Sequence, residues 1–288
     1  MMNAIIMAAG TASRFVPLSE ETPKGLLEVR GEIMIERQIR QLQKAGVRDI
    51  TIVLGYKAEK FEYLKERFKV NLVYNEDYNH YNNSSSVVRV LDKLSDTFLC
   101  CSDHYYVKNV FLDKEPDCYY AVQYAEGPTS EWCTKTNAEG RIIDVAIGGE
   151  KSWYMAGHVR LSKFFSEKFK EIFSNEYQKE ETRQGYWEDV LIRHLRELPI
   201  YARKYSQDDF REFDSIDELR AFDPSYFEDT RSTILKKICL ELNLKEKELS
   251  HFERIKHEGD YILFCFQALN HKFVFDGSNS SIKKLLNE

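Results

Sequence analysis

Ala4-Ile5-Ile6-Met7-Ala8-Ala9-Gly10-Thr11-Ala12-Ser13-Arg14-Phe15, followed nine residues later by Lys24 in Thr22-Pro23-Lys24-Gly25-Leu26, decides the reading of this chain. The apolar run from Ala4 to Met7 predicts a buried strand. The small residues after it predict a loop whose backbone N–H groups can meet an anion. Arg14 and Lys24 add two cations suited to phosphate. The combination is a design for handling a nucleotide.

With 288 residues, the chain has room for one large α/β domain plus an appendage, or for two modest domains. Its 43% hydrophobic content supports a substantial core, and the net charge of −6 argues against a general nucleic-acid binder, which needs a basic face. The basic residues must therefore matter locally. Six cysteines, at 100, 101, 118, 133, 239 and 265, lack the paired short spacings of a zinc site and the density of a disulfide scaffold, which predicts a reducing compartment. No charged leader and no membrane-spanning apolar run is visible, so the expectation is a soluble, cytoplasmic protein.

Working outward from the loop, Ile33, Ile35, Ile39 and Leu42, between Gly31 and Gly46, predict a helix. Ile50 to Leu54 predicts a strand stopping at Gly55-Tyr56. Phe61, Leu64 and Phe68 mark a second helix and Leu72 to Tyr74 a third strand, which completes βαβαβ. Asn82-Asn83-Ser84-Ser85-Ser86 leads into a helix carrying Val87, Val88, Val90, Leu91 and Leu94, with Ser84 or a neighbour as its N-cap. Thr97 to Cys101 predicts a buried strand ending at Ser102-Asp103-His104, and strand ends of this kind line the ligand crevice of open parallel sheets. Residues 118 to 160 read as a β-rich insertion covering the mouth of the sheet. Trp187, Val190, Leu191, Leu195 and Leu198 keep helical spacing over 187 to 198. Phe210 to Asp214 reads as a short strand, and Ser215-Ile216-Asp217-Glu218 fits a capping box. Asp223-Pro224 breaks that helix, which places a boundary between a domain of residues 1–226 and an extension of 227–288. The tail predicts a helix (Ile234, Leu235, Ile238, Leu242), a charged connector and two strands, Tyr261 to Phe266 and Phe273 to Phe275.

Residues 4 to 27, with Ala8-Ala9-Gly10, Arg14 and Pro23-Lys24, resemble the signature loop of the nucleotidyltransferases that activate sugar phosphates and amino-alcohol phosphates. Within that superfamily, Tyr81-Asn82-Asn83-Ser84, Ser102-Asp103, Glu131-Trp132, Tyr186-Trp187-Glu188-Asp189 and Glu212-Phe213-Asp214-Ser215 resemble the bacterial CTP:phosphocholine cytidylyltransferases. The resemblance runs over roughly residues 1 to 222, in register. It implies an α/β fold with a Rossmann-like, mixed but mostly parallel sheet flanked by helices, of the nucleotide-diphospho-sugar transferase type. A small α+β extension would follow it.

The chemistry implied is attack by a substrate phosphate oxygen on the α-phosphorus of CTP, with pyrophosphate leaving. An ionised phosphate needs no general base, so positioning and charge neutralisation carry the catalysis. The resemblance places a divalent metal, Mg²⁺, on Asp103 and Asp214, with Glu212 as a further candidate ligand. It makes Lys24 the α-phosphate contact and Arg14 the β,γ-phosphate contact. The backbone from Ala9 and Gly10 through Thr11, Ala12 and Ser13 would cradle the pyrophosphate, while Ala8, Gly55, Asn82 and Ser84 would line the cytosine site. A trimethylammonium group is held by aromatic faces with a carboxylate nearby. Trp132, Tyr186 and Trp187, with Glu131, Glu188 or Asp189, supply those parts. The implied acceptor is a zwitterion, such as phosphocholine or 2-aminoethylphosphonate.

Some readings stay open at this level. Trp187 also fits the apolar stripe of its own helix, and Asp103 and Asp214 are also ordinary turn and helix-start residues. The chain departs from the family pattern at Ala12, where a glycine is usual. Its methyl either crowds the phosphate or is tolerated at negative φ. Cys101 and His104 are further departures. A sugar-1-phosphate nucleotidyltransferase is the alternative enzyme, and a non-catalytic nucleotide-binding scaffold is the alternative of another class. From Ile234 the pattern resembles the opening of a choline-kinase-like fold, in which His257-Glu258-Gly259-Asp260 occupies the phosphate-loop position. That sequence is acidic, so no kinase activity is expected. The alternative is a packing module docked on the main domain or on a second copy in a homodimer.

Overall fold

A computed structural model describes residues 2–113, 115–256 and 261–285. The backbone divides into two compact units, one of Met1–Gly10 with Met34–Glu212, the other of Thr11–Ile33 with Phe213–Glu288. Residue 226, the boundary expected from sequence, falls inside the second unit. His257 to Asp260, the segment compared with a kinase phosphate loop, lies outside the described residues.

The first unit is built on strand β1 (Asn3–Ala8), buried along its whole length. Parallel neighbours pair with it on both edges, which is why it is apolar on both faces and does not alternate. One neighbour is β2 (Asp49–Leu54), next to β3 (Asn71–Tyr74), and the other is β4 (Thr97–Cys101). The helix predicted from Ile33 to Leu42 is α1 (Met34–Lys44). The segment at Ser84 forms only a short helix, α2 (Ser84–Val88), before a tighter turn at Leu91–Lys93. Strand β5 (His104–Tyr106) follows β4 directly.

The region expected to cover the mouth of the sheet is one long hairpin, β6 (Tyr119–Thr136) and β7 (Ile142–Leu161). Its inner half belongs to the main sheet: β7 runs antiparallel to β4, and β6 pairs in parallel with β8 (Tyr201–Lys204). The sheet order is β8-β6-β7-β4-β1-β2-β3. Against it packs α3 (Lys163–Glu176), capped by the Ser162 hydroxyl, whose Phe165, Phe169 and Phe173 recur every fourth residue and bury one stripe. The last helix of this unit, α4 (Trp187–Arg193), stops before Leu195 and Leu198, which pack into the core from the turns that follow. β9 (Phe210–Glu212) pairs antiparallel with β5 and places Glu212 opposite His104. Gly157 in β7 has φ +91°, and a methyl there would sit 2.7 Å from the Phe210 ring, so glycine is required twice over.

In the second unit, α5 (Ile216–Phe222) starts at Ser215, whose hydroxyl accepts from the Glu218 N–H, while the Glu218 carboxylate reaches back to the Asp214 N–H at 2.8 Å. That is the expected capping box with its return bond shifted by one residue. Helix α6 (Thr233–Leu242) follows, and the two expected tail strands prove to be the centre of a four-stranded antiparallel sheet. Its strands are β10 (Ser250–Arg254), β11 (Leu263–Ala268), β12 (His271–Asp276) and β13 (Ser281–Lys284). Phe264, Phe266, Phe273 and Phe275 are buried on it. The tail is thus a sheet with its own apolar face and more than a marginal ribbon.

Arg220, 1% exposed, fastens α5 to this tail. Its guanidinium donates to the carbonyls of Tyr226 at 3.2 Å, Leu249 at 2.5 Å and Glu246 at 2.8 Å. Arg220→Met fills the volume but leaves those carbonyls without their charged donor. We expect it to lower stability by about 3 kcal/mol, read as the midpoint of a urea unfolding curve.

Candidate active site

In the first unit, the parallel register brings the carboxyl ends of β1, β2 and β4 out together, with Ala8 beside Leu54 and Met7 beside Cys101. The chain leaves these ends through Ala9, Gly55 and Asp103. Two bonds lock them: the Tyr56 N–H donates to the Ala9 carbonyl at 3.1 Å, and the Ser102 N–H donates to the Met7 carbonyl at 3.0 Å. A methyl at Gly55 would lie 2.6 Å from the Tyr78 Cβ and 2.9 Å from the Ala9 carbonyl oxygen. Gly55 is therefore there because the backbone of β1 and the Tyr78 side chain converge on it.

Asp103 has its carboxylate 3.4 Å from His104 Nδ1, and the Glu212 carboxylate stands 3.5 Å from His104 Nε2. Burial pulls the His104 pKa down, but the two acids outweigh it and hold the ring positively charged, with a pKa of about 10. Cys101, Asp103 and His104 bring their donor atoms within 4.8 Å of one another. Burial and the nearby acids keep the Cys101 thiol protonated. With a protonated thiol and an imidazolium beside it, Asp103 presents a hard oxygen donor in a set unlike that of a zinc site. Such chemistry fits Mg²⁺. Strand β9 ends at Glu212, so Asp214 is not its strand-mate, and Glu212 faces His104.

The loop at Asn82 to Ser84 is tied to the loop before α4. The Ser84 hydroxyl donates to the Gly185 carbonyl at 2.8 Å, the Asn83 carbonyl oxygen Oδ1 accepts from the Trp187 N–H at 2.8 Å, and Asn83 Nδ2 donates to Glu188 at 3.2 Å. Ser84 is fully buried, and its side chain is a tie between loops. Asn82 holds the turn by accepting the Asn83 N–H at 2.8 Å.

Two of the expected acceptor residues have other roles in the structure, Trp187 and Asp189. Trp187 is 1% exposed, stacked on Tyr120 and edge-on to Phe169, so its faces are spent on the core and not on a cation. The Asp189 carboxylate accepts from the Tyr186 N–H at 2.8 Å and caps α4. Glu131 is exposed on the hairpin. The remaining pair is Trp132 on β6 and Tyr186, whose rings meet edge to face at 5.5 Å with Tyr186 47% exposed. Glu188 is buried and accepts hydrogen bonds from Asn83 and from the Tyr120 hydroxyl at 3.2 Å. Tyr120 is not marked in the sequence, because it lies in an apolar strand where nothing distinguishes its hydroxyl as a partner for Glu188.

In the second unit, Arg14, 72% exposed, forms an ion pair with Asp214 at 2.8 Å. Lys24 opens a short turn after Pro23, with its ammonium 5.6 Å from the centre of the buried Phe15 ring. Ala12 adopts φ 48°, ψ 48°. The methyl is therefore not accommodated at negative φ: it occupies the left-handed region where a glycine is usual. That conformation costs about 1–2 kcal/mol for a residue with a Cβ.

The MobA-like NTP transferase domain model matches residues 4–123. The choline-phosphate cytidylyltransferase of Streptococcus pneumoniae is 32% identical over 219 residues, spanning 76% of this chain and 96% of its own. The 2-aminoethylphosphonate cytidylyltransferase of Lancefieldella rimae is 35% identical over 229 residues, spanning 78% and 93%. The chain belongs to the choline-phosphate cytidylyltransferase family. A solved structure of the Streptococcus pneumoniae CTP:phosphocholine cytidylyltransferase superimposes with a TM-score of 0.74 at 31% identity, covering 78% of this chain and 98% of that one. These family members are matched nearly end to end, yet about a quarter of this chain lies outside the match.

Two expectations follow. Ala12→Gly relieves the left-handed strain but gives the unfolded chain more freedom, so we expect a net gain of about 0.5–1 kcal/mol in urea unfolding. Burial lifts the Glu188 pKa from 4.5 to about 7 against the bonds from Asn83 and Tyr120. The folded state thus holds this proton more tightly than the unfolded chain, and the stability it confers is full below pH 4.5 and lost as pH rises through about 7. Glu188→Gln should lack that slope, so the wild type should lose about 3 kcal/mol relative to it across the same window, measured by chemical unfolding at each pH.

Proposed function

We propose that this protein transfers CMP from CTP to the phosphate or phosphonate of a small acceptor carrying a cationic amine. The observation that carries the acceptor class is the edge-to-face pair of Trp132 and Tyr186, set on the hairpin and at the start of α4. Such rings attract a quaternary or primary ammonium, which the substrates of a sugar-phosphate transferase lack. The nearly complete overlap with cytidylyltransferases named for choline phosphate and for 2-aminoethylphosphonate supports the same reading.

In this reading an acceptor oxygen forms a bond to the α-phosphorus of CTP as the bond to the β-phosphate oxygen breaks, and pyrophosphate departs with that electron pair. Lys24 neutralises charge at the α-phosphate and Arg14 at the β,γ-phosphates. The backbone from Ala9 to Ser13 donates to the pyrophosphate. Asp103 and Asp214 are the carboxylates proposed to hold Mg²⁺, which when bound supplies charge neutralisation at the reacting phosphates. Both acids stand beside a cation, His104 and Arg14 respectively. The cations hold the carboxylates in place for the ion. We place the reaction in the cytoplasm. All six cysteines are free thiols, and no helix of the described residues is long and apolar enough to cross a membrane.

The test is pyrophosphate release from CTP and Mg²⁺ with phosphocholine, phosphoethanolamine, 2-aminoethylphosphonate and glucose 1-phosphate. Release is expected with the cationic acceptors. Turnover with the sugar phosphate alone would establish the sugar-1-phosphate alternative, and CTP binding without turnover of any acceptor would establish the scaffold. Trp132→Ala should raise the acceptor KM about tenfold and leave the CTP KM unchanged. Lys24→Ala should cut kcat about a hundredfold or more.

A further inference from the structure

The segment from Thr11 to Ile33 carries Arg14 and Lys24, and its helical turns are only three or four residues long. From Ala12 to Leu27 its backbone bonds close single turns, such as the Phe15 N–H to the Ala12 carbonyl and the Leu26 N–H to the Pro23 carbonyl, and turns of that kind do not by themselves fix how they stand to one another. Three of its acidic residues, Glu20, Glu21 and Glu28, are engaged by the chain beyond residue 222, where the family resemblance ends. Arg254 of β10 donates to Glu20 at 2.5 Å, both side chains being largely withdrawn from water. The Glu21 carboxylate accepts the Thr233 N–H at 2.7 Å and the hydroxyls of Ser232 and Thr233, which caps α6 with a residue more than 200 positions away. Tyr226 donates its hydroxyl to the Glu28 carbonyl at 2.7 Å, and Arg231 stands 3.7 Å from the Glu28 carboxylate. Strand β10 itself packs against the turn Ser13–Phe15 that bears Arg14.

We infer that the C-terminal extension is a brace for the triphosphate-binding segment, with Arg254 as a positioning residue for Arg14 and Lys24. It acts in two ways. Its bonds restrict where the segment can go, so the two cations are placed before CTP arrives and less order has to be imposed on binding. Its arginines and helix N-terminus also offset carboxylates that would otherwise repel an incoming triphosphate. Arg254 touches neither substrate in this account. The inference rests on the proposed role of Arg14 and Lys24 as phosphate contacts, so its test must separate the two.

The experiment uses the full chain, with CTP and Mg²⁺ titrated calorimetrically and the KM for CTP and for acceptor measured separately. Arg254→Glu should weaken CTP binding about tenfold and raise the CTP KM to match, with the acceptor KM unchanged. Combining Arg254→Glu with Glu20→Arg should restore CTP affinity to within about threefold of wild type. Wild-type CTP affinity in Arg254→Glu, alongside its loss in Lys24→Ala, would overturn the brace and leave the phosphate assignment standing. Undiminished CTP affinity in Lys24→Ala would overturn the phosphate assignment and the brace with it. An equal rise in both KM values would also overturn the brace, since it would mark a general loss of structure. If Arg254→Glu does not fold, Arg254→Gln carries the same comparison: a loss of threefold or more in CTP affinity supports the brace, and wild-type affinity overturns it.

Discussion

The Ala9 carbonyl and the Tyr78 side chain close on position 55 so tightly that not even a methyl group fits between them. The way the ends of β1 and β2 leave the sheet depends on that approach. It follows from the parallel register of β1 and β2, which aligns Ala8 with Leu54, and from the Tyr56 N–H that finds the Ala9 carbonyl. The same register, carried across to β4, puts Ser102 and Asp103 at that edge. Burial of the three strands supplies the energy of this arrangement, and glycine at 55 removes the steric obstacle to it.

Charge is distributed in the site residues by pairing. His104 lies between Asp103 and Glu212, and Arg14 lies on Asp214. In a chain of net charge −6, each of these cations offsets the field of the carboxylate it meets. The extension repeats the device at Glu20 and Glu28 with Arg254 and Arg231. Binding an anion and holding a divalent cation demand opposite local fields. In the proposed function a set of paired charges would accommodate both, because each pair can be opened by a ligand of the appropriate sign.

The parallel core was legible in the sequence because Ala4 to Met7, Ile50 to Leu54 and Thr97 to Cys101 are continuous apolar runs, which central parallel strands require. The long hairpin was only half legible. Its outer part alternates burial weakly, so nothing in the pattern distinguished a sheet extension from a cover. Helix α3 was not legible although Phe165, Phe169 and Phe173 have helical spacing, because aromatic residues have low helix propensity and a short apolar pattern of this kind also suits a strand. The rings of Trp132 and Tyr186 meet edge to face. Trp187 did not join them, since its helical stripe belongs to the core. Ser84 and Asp189 proved to be loop and helix ties, a role fixed by partners a hundred residues away or by cap geometry that composition does not reveal. The left-handed turn at Ala12 was equally hidden, because an alanine gives no signal of positive φ.

The central claim is direct transfer of CMP to an acceptor phosphate. Phosphocholine labelled with ¹⁸O in its phosphate, mixed with CTP and Mg²⁺ and followed by ³¹P NMR, tests it most directly. Direct transfer gives a new diphosphate product with the label in its bridging oxygen and in the phosphate next to choline, and unlabelled pyrophosphate. Labelled pyrophosphate, or a product whose bridge carries no label, would contradict it.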